Sequence, residues 1–276
     1  MKDKRLIAHP LAFTILMVVL FAFLAFDTSA AEPTKAQSRI DQIKATGKLI
    51  VGTSADYPPY EFYLQADRQG ELAGIDVDIA KSIAQKIGVK LEIRDMVFSN
   101  IFEELGAGKI DLAIAGLSPT EKRREVADFS DFYYQAIQKM LIRFEDLAHI
   151  KSLEDLRGKM VGVQKSSIQE DFARAQILGA GFIAQESIPV LIDDLKKGVT
   201  AAVILEKPVA EAYVDRNIGL ISIECSSDRV PLGSAVAVRK GDTDLLRVVN
   251  ETIDMLIKSN KITEFIEDAK FLSNKR

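Results

Sequence analysis

A single cysteine, Cys225, in 276 residues rules out an internal disulfide, so the stability of this chain has to come from packing. Histidine is almost as scarce, with only His9 and His149 present. His149 sits in the polar context DLAHIKS, away from any nucleophile signature, and reads as a surface residue. CxxC, HExxH and GxSxG are all missing, as is a phosphate-cradling GxxxxGK followed by Ser or Thr. Metal, triad and nucleotide chemistry therefore have no sequence support, and no cofactor is expected. Basic charge is not in excess either: the net charge is -4, which argues against nucleic acid as a partner.

What the first 30 residues contain is a leader pattern. Lys2, Lys4 and Arg5 precede an uncharged apolar run at 11–26, and Thr28-Ser29-Ala30-Ala31 offers a small-residue cleavage site. The apolar run is shorter than the roughly 20 residues that span a bilayer, so the expectation is an exported, periplasmic protein cleaved near Ala30 or Ala31. No cysteine lies near that junction to carry a lipid anchor. Removing three basic and two acidic residues takes the charge from -4 to -5. The 246 residues left of 276 suffice for one large domain or two smaller ones.

Along the rest of the chain, short apolar runs alternate with polar turns and helical periods. Strands are expected at 49–53, 91–94, 110–115, 136–143, 160–163, 201–205 and 234–238, and helices at 101–105, 169–178, 209–215 and 243–258. In VDIAKSIAQKIG, Ile79, Ile83 and Ile87 share one face, with Asp76 expected to cap that helix and Gly88 to end it. Leu245, Val249, Ile253 and Leu256 do the same in the closing helix. Such alternation predicts open α/β sheets, two of them on one chain, with no low-complexity linker between.

Open α/β sheets bind ligands beyond the carboxyl ends of their strands. Those ends carry Ser54, Asp56 and Tyr57; then Gly116, Ser118, Thr120 and Arg123; then Gln164 through Ile168; then Glu206. Ser167 to Glu170 fits a capping box, which places free N-H groups and a positive helix end at that edge. The Arg123 guanidinium would add a carboxylate fork, although spacing does not select which of Lys122, Arg123 and Arg124 turns inward. Glu206, two residues before Pro208 at a helix start, can receive an ammonium. Tyr57 and Phe98 supply apolar plates from polar loops. An anion clamp, a cation acceptor and apolar plates together complement a free α-amino acid.

The segments GKLIVGTSADYPPYEF, GIDVDIAKSIAQKIG, KIDLAIAGLSPTEKRREVADFSDFYY and SLEDLRGKMVGVQKSSIQEDF, in this order, resemble the family 3 bacterial extracellular solute-binding proteins over nearly all of residues 47–270. The resemblance implies a type II periplasmic-binding-protein fold: two α/β lobes joined by two crossing strands that close around an L-amino acid, which is then handed to an ABC-transporter permease. On that basis residues 31–46 form a lead-in, 47–132 with 234–276 one lobe, 138–228 the other, and 133–137 with 229–233 the hinge strands of a protein expected to be monomeric. The resemblance makes Arg123 the α-carboxylate clamp, helped by Ser118 and the Ser167 to Ile168 backbone, with Gln164 at the same edge. It makes Glu206 the α-ammonium acceptor, Tyr57 and Phe98 the stacking pair, and Gly116 a site of close backbone approach. Ser54 stands where binders of basic amino acids usually carry Asp or Glu, Glu206 where Asp is common, Ala201 where Asp is usual, and Ile168 where Thr is usual. These departures bear on which amino acid is bound, with glutamine and arginine both compatible. A cyclohexadienyl dehydratase-like enzyme on a related fold is the alternative, but its Asn-Pro-Gly-Gly-Thr-Asn run is replaced here by VQKSSIQED. A ligand-binding sensor or adhesin is a third class.

Overall fold

The computed structural model describes residues 38–65, 70–135, 137–225 and 233–275. The expected leader, the first part of the lead-in and most of the return crossing at 229–233 lie outside them. Helix α1 (Arg39–Thr46) precedes β1 (Lys48–Thr53), and a small antiparallel sheet follows from β2 (Asp56–Tyr57), β3 (Glu61–Tyr63) and β4 (Leu72–Ala73). Next comes α2 (Ile75–Ile87), whose Ile79, Ile83 and Ile87 are all buried, as their spacing predicts. Asp76 does not cap it. Gly74 holds the N-cap position at φ 130°, and the carbonyls of Pro59 and Tyr60 accept from Ile75 and Asp76 N-H at 3.1 and 3.0 Å. A Cβ on Gly74 would stand 2.1 Å from the Tyr60 carbonyl oxygen, so this close approach needs glycine. The Asp76 side chain, one position too far into the helix to cap, points inward and is fully buried.

The first lobe continues through β5 (Lys90–Asp95), α3 (Ile101–Gly106), β6 (Leu112–Ala113), α4 (Glu121–Val126) and β7 (Ala127–Phe129). The strand expected at 110–115 is laddered only at Leu112–Ala113, although Asp111 and Ile114 N-H still donate to Ile50 and Gly52 carbonyls of β1 at 2.7 and 3.0 Å. The second lobe holds β8 (Gln138–Arg143), β9 (Met160–Gln164), α5 (Ile168–Gln176), β10 (Gly181–Gln185), α6 (Ile188–Lys196), β11 (Ala202–Glu206), α7 (Lys207–Arg216) and β12 (Leu220–Glu224). The chain returns as β13 (Ala237–Arg239) and closes with α8 (Thr243–Lys258) and α9 (Lys261–Asn274), a final helix that the sequence pattern did not reveal.

Sheet order is β5-β1-β6-β13-β7 in one lobe and β10-β9-β11-β8-β12 in the other. In each, the three strands that begin the order are parallel. The strand that arrives from the opposite lobe, β13 or β8, runs antiparallel to its neighbours on both sides. This follows from where the chain crosses: it comes in at the edge where the parallel strands end. Both carboxyl edges therefore face the same cleft. Tyr134 and Ser234 form an antiparallel bridge at the crossing, with Tyr133 N-H donating to Ser234 O at 3.0 Å. Among the described residues no helix is long and apolar enough to cross a membrane.

Candidate functional site

The basic triplet resolves at the start of α4. Thr120 caps this helix, its hydroxyl accepting from Arg123 N-H at 3.2 Å, which fixes Arg123 in the first turn and aims it back across the strand end. Its guanidinium donates to the Ser118 carbonyl at 2.9 Å and, across the cleft, to the Ser166 carbonyl at 3.1 Å. The rings of Phe98 and Phe102 lie 5.5 and 5.2 Å from its central carbon. Burial pushes the Arg123 pKa down to about 10, so it remains a cation at neutral pH. Lys122 and Arg124 are exposed, the latter lying over Phe129.

Opposite stands Glu206, the buried end of β11, with Pro208 in the first turn of α7. Its Oε2 accepts from the Tyr60 hydroxyl at 2.8 Å, a bond between lobes. Burial raises the carboxyl to about 7; the Tyr60 bond and the Arg123 charge oppose the rise, and the Asp76 charge adds to it. Tyr60 stacks on Tyr57 at 5.5 Å and meets Tyr134 edge-on at 5.9 Å. Tyr60 and Phe102 were not singled out by sequence. The YPPY repeat of an aromatic and the i, i+4 spacing of Phe98 and Phe102 were the available signals.

Glu206 is one of a group of buried carboxyls with Asp56, Glu61 and Asp76 that act on one another. Asp76 accepts from the Tyr133 hydroxyl and from Gly116 N-H, both at 2.8 Å, and burial raises it to about 6. Glu61 is pushed well above the usual carboxylate range by burial and then by the Asp76 charge. Gly116 has φ 55°, and a Cβ there would stand 3.1 Å from the Tyr57 ring. Gly116→Ala is expected to lower stability by about 1 kcal/mol or more, through left-handed strain, and to displace Tyr57. Chemical denaturation of the ligand-free variant measures the first effect.

In the second lobe, the Ser167 hydroxyl accepts from Glu170 N-H at 3.1 Å, as in the expected capping box. The reciprocal bond is shifted by one residue: the Glu170 carboxylate takes Ser166 N-H at 2.9 Å, because Ser167 N-H is already directed to the Gln164 carbonyl at 3.2 Å. Ile168 then begins α5, where helix geometry provides its N-H with no intrahelical acceptor. Gln164 is buried, with its amide 3.5 Å from the Glu186 carbonyl, and Ser54 and Ser118 are buried on the facing lobe. Arg123 with Ser166, and Tyr60 with Glu206, thus join strand ends of the two sheets. Among the described residues no cluster of His, Cys, Asp and Glu could hold a metal ion.

The sequence pattern of the bacterial extracellular solute-binding proteins, family 3, matches residues 49–269. The chain belongs to this family. It is 35% identical over 243 residues to the arginine-binding extracellular protein ArtP of Bacillus subtilis (strain 168), covering 86% of this chain and 90% of that one. It is 28% identical over 230 residues to the L-cystine-binding protein TcyJ of Escherichia coli (strain K12), covering 83% and 84%. Among solved structures, the amino acid ABC transporter substrate-binding protein AbpA of Streptococcus pneumoniae, bound to L-arginine, superposes with a TM-score of 0.82 at 37% identity, over 86% of this chain and 100% of that one. An ancestral amino acid-binding protein, AncCDT-1, described as a precursor of cyclohexadienyl dehydratase, gives 0.77 at 30% identity, over 84% and 99%. The family 3 member described here has the type II periplasmic-binding-protein fold and is a binding protein, not an enzyme.

Proposed function

We propose that this family 3 protein captures a free L-amino acid with a cationic side chain, arginine first, between its two lobes and delivers it to an ABC importer. The observation that carries this reading is that Arg123 and Glu206 each bond across the lobes, Arg123 to the Ser166 carbonyl and Glu206 to the Tyr60 hydroxyl, with the buried Asp76 carboxyl acting on Glu206. Arg123 takes the ligand's α-carboxylate with Ser118, Ser167 and the Ile168 N-H. Glu206 takes the α-ammonium beside Gly116. The side chain lies between Tyr57 and Phe98, with Ser54 and Gln164 at its flanks. An amino acid of no net charge adds nothing to the local balance; a cationic one adds positive charge that the buried Asp76 and Glu206 carboxyls favour. The relatives named for arginine support this reading, and the one named for L-cystine supports amino-acid capture more broadly. The lobes divide at 47–132 plus 234–276 and 138–228, the chain acts as a periplasmic monomer after loss of residues 1–30, and its docking partner is a permease.

A thermal-shift screen of the common amino acids, followed by calorimetry, tests this. Arginine at about a thousand times its dissociation constant should stabilise the protein by about 4 kcal/mol. Binding only of neutral amino acids would overturn the cationic assignment. No binding by any, or turnover of prephenate or arogenate, would overturn capture itself.

A further inference from the structure

Asp56 lies two residues past Ser54, at the same strand end. Its contacts lead elsewhere. The side chain is 5% exposed, and its Oδ2 accepts from the main-chain N-H of Ile188, in the other lobe, at 3.0 Å. Ile188 is the first residue of α6, and Ser187 at the N-cap position makes no side-chain bond to that helix. The carboxylate that caps α6 therefore comes from the opposite lobe. The Asp56 carbonyl also accepts from the Tyr213 hydroxyl of α7 at 2.9 Å, so one residue of the first lobe holds two helices of the second. Two residues before Ile188, Glu186 accepts from Ser99 of the first lobe at 2.7 Å, while Lys165 of its own lobe holds the other oxygen at 2.6 Å.

We propose that Asp56 is a positioning residue for capture: it latches the closed form by capping α6 across the cleft, and Ser99 with Glu186 forms the weaker second catch. Opening the cleft separates Asp56 from α6 and leaves that helix start, with its positive end, to water. Closure restores a charge-assisted bond in a dry site. A residue that favours the closed form without touching the ligand changes affinity through the closed fraction, whatever amino acid is bound. The inference rests on the two-lobed capture proposed above.

The test reads ligand-free and ligand-bound protein separately. Spin labels on Glu103→Cys and Glu154→Cys, one per lobe and both at exposed positions, in a Cys225→Ser background, report the interlobe distance. Without ligand, Asp56→Ala should shift the distribution toward the open form. With arginine, its dissociation constant should rise about tenfold through faster release, the association rate and the ranking of amino acids staying the same. Asp56→Asn, which keeps an acceptor oxygen, should recover part of this, and Ser99→Ala should cost about threefold. Should Asp56→Ala fail to fold, Asp56→Asn gives the same readout at smaller amplitude, because its neutral oxygen caps α6 more weakly than the carboxylate. An unchanged ligand-free distribution with an unchanged release rate overturns the latch. So does loss of cationic amino acids with neutral ones spared, which would make Asp56 a ligand contact. If the unsubstituted protein binds no amino acid, capture fails, and the ligand-free distances still decide whether Asp56 holds the lobes together.

Discussion

Arg123→Ala is expected to weaken amino-acid binding by two to three orders of magnitude. Arg123 donates to the Ser118 carbonyl of its own lobe and sits over two aromatic rings of that lobe, so its fork is oriented before any ligand arrives. A ligand carboxylate left in this cleft without its partner costs about 2 to 5 kcal/mol, because the charge stays buried and unpaired. Arg123→Lys should lose nearly as much, since one ammonium cannot reproduce two parallel bonds. The melting temperature of the ligand-free variants should move by no more than about 2 to 4 °C, the equivalent of about 1 kcal/mol. Arg124→Ala is the control, as an exposed charge whose removal should change affinity by no more than a few-fold. Titration calorimetry on the three variants decides it, and equal losses in the two alanine variants would mean that the wrong arginine has been assigned.

Glu206→Gln should cost a similar amount and also reduce a pH dependence that the unsubstituted protein is expected to show. Burial holds the free carboxyl at about 7, against the Tyr60 bond and Arg123, with Asp76 on the other side of the balance. An ammonium ligand requires the carboxylate, so binding below pH 7 has to expel a proton. Affinity should then fall by up to tenfold for each pH unit between 7 and 5 and level off above about 8. The sign for the ligand-free protein is the reverse. Its raised carboxyl keeps a proton that the unfolded chain has already lost, so this group's contribution to stability declines as pH rises from about 4.5 to about 7. Saturating ligand should cancel that decline. Calorimetry in buffers of different ionisation enthalpy gives the proton count directly: more release at pH 6 by the unsubstituted protein than by Glu206→Gln, in which only Asp76 and Glu61 are left to titrate. Equal proton release by both would place the titrating group elsewhere.

Local pattern alone determined much of the architecture. The isoleucines of α2 and the apolar face of α8 are buried where their spacing places them, because a helical period needs only its own sequence to define a face. Thr120 and Ser167 likewise cap the helices they precede, since capping spans only a few residues. The apolar run 110–115 is longer than the strand it forms, β10, α6, β12 and α9 leave no clear local pattern, and Asp76 stands in sequence where a cap would. These depend on neighbours far along the chain. β12 exists through its pairing with β8, and Asp76 turns inward because Tyr133 and Gly116, 57 and 40 residues away, offer it donors. Sequence also identified the polar groups of the cleft by type, with the resemblance selecting Arg123 from three adjacent cations. Only the tertiary structure gave Glu206 its Tyr60 partner, 146 residues distant, and turned Asp56 from the ligand's surroundings to a helix in the other lobe. A hydrogen bond acts over about 3 Å, and the fold, not proximity in the chain, decides which groups come that close.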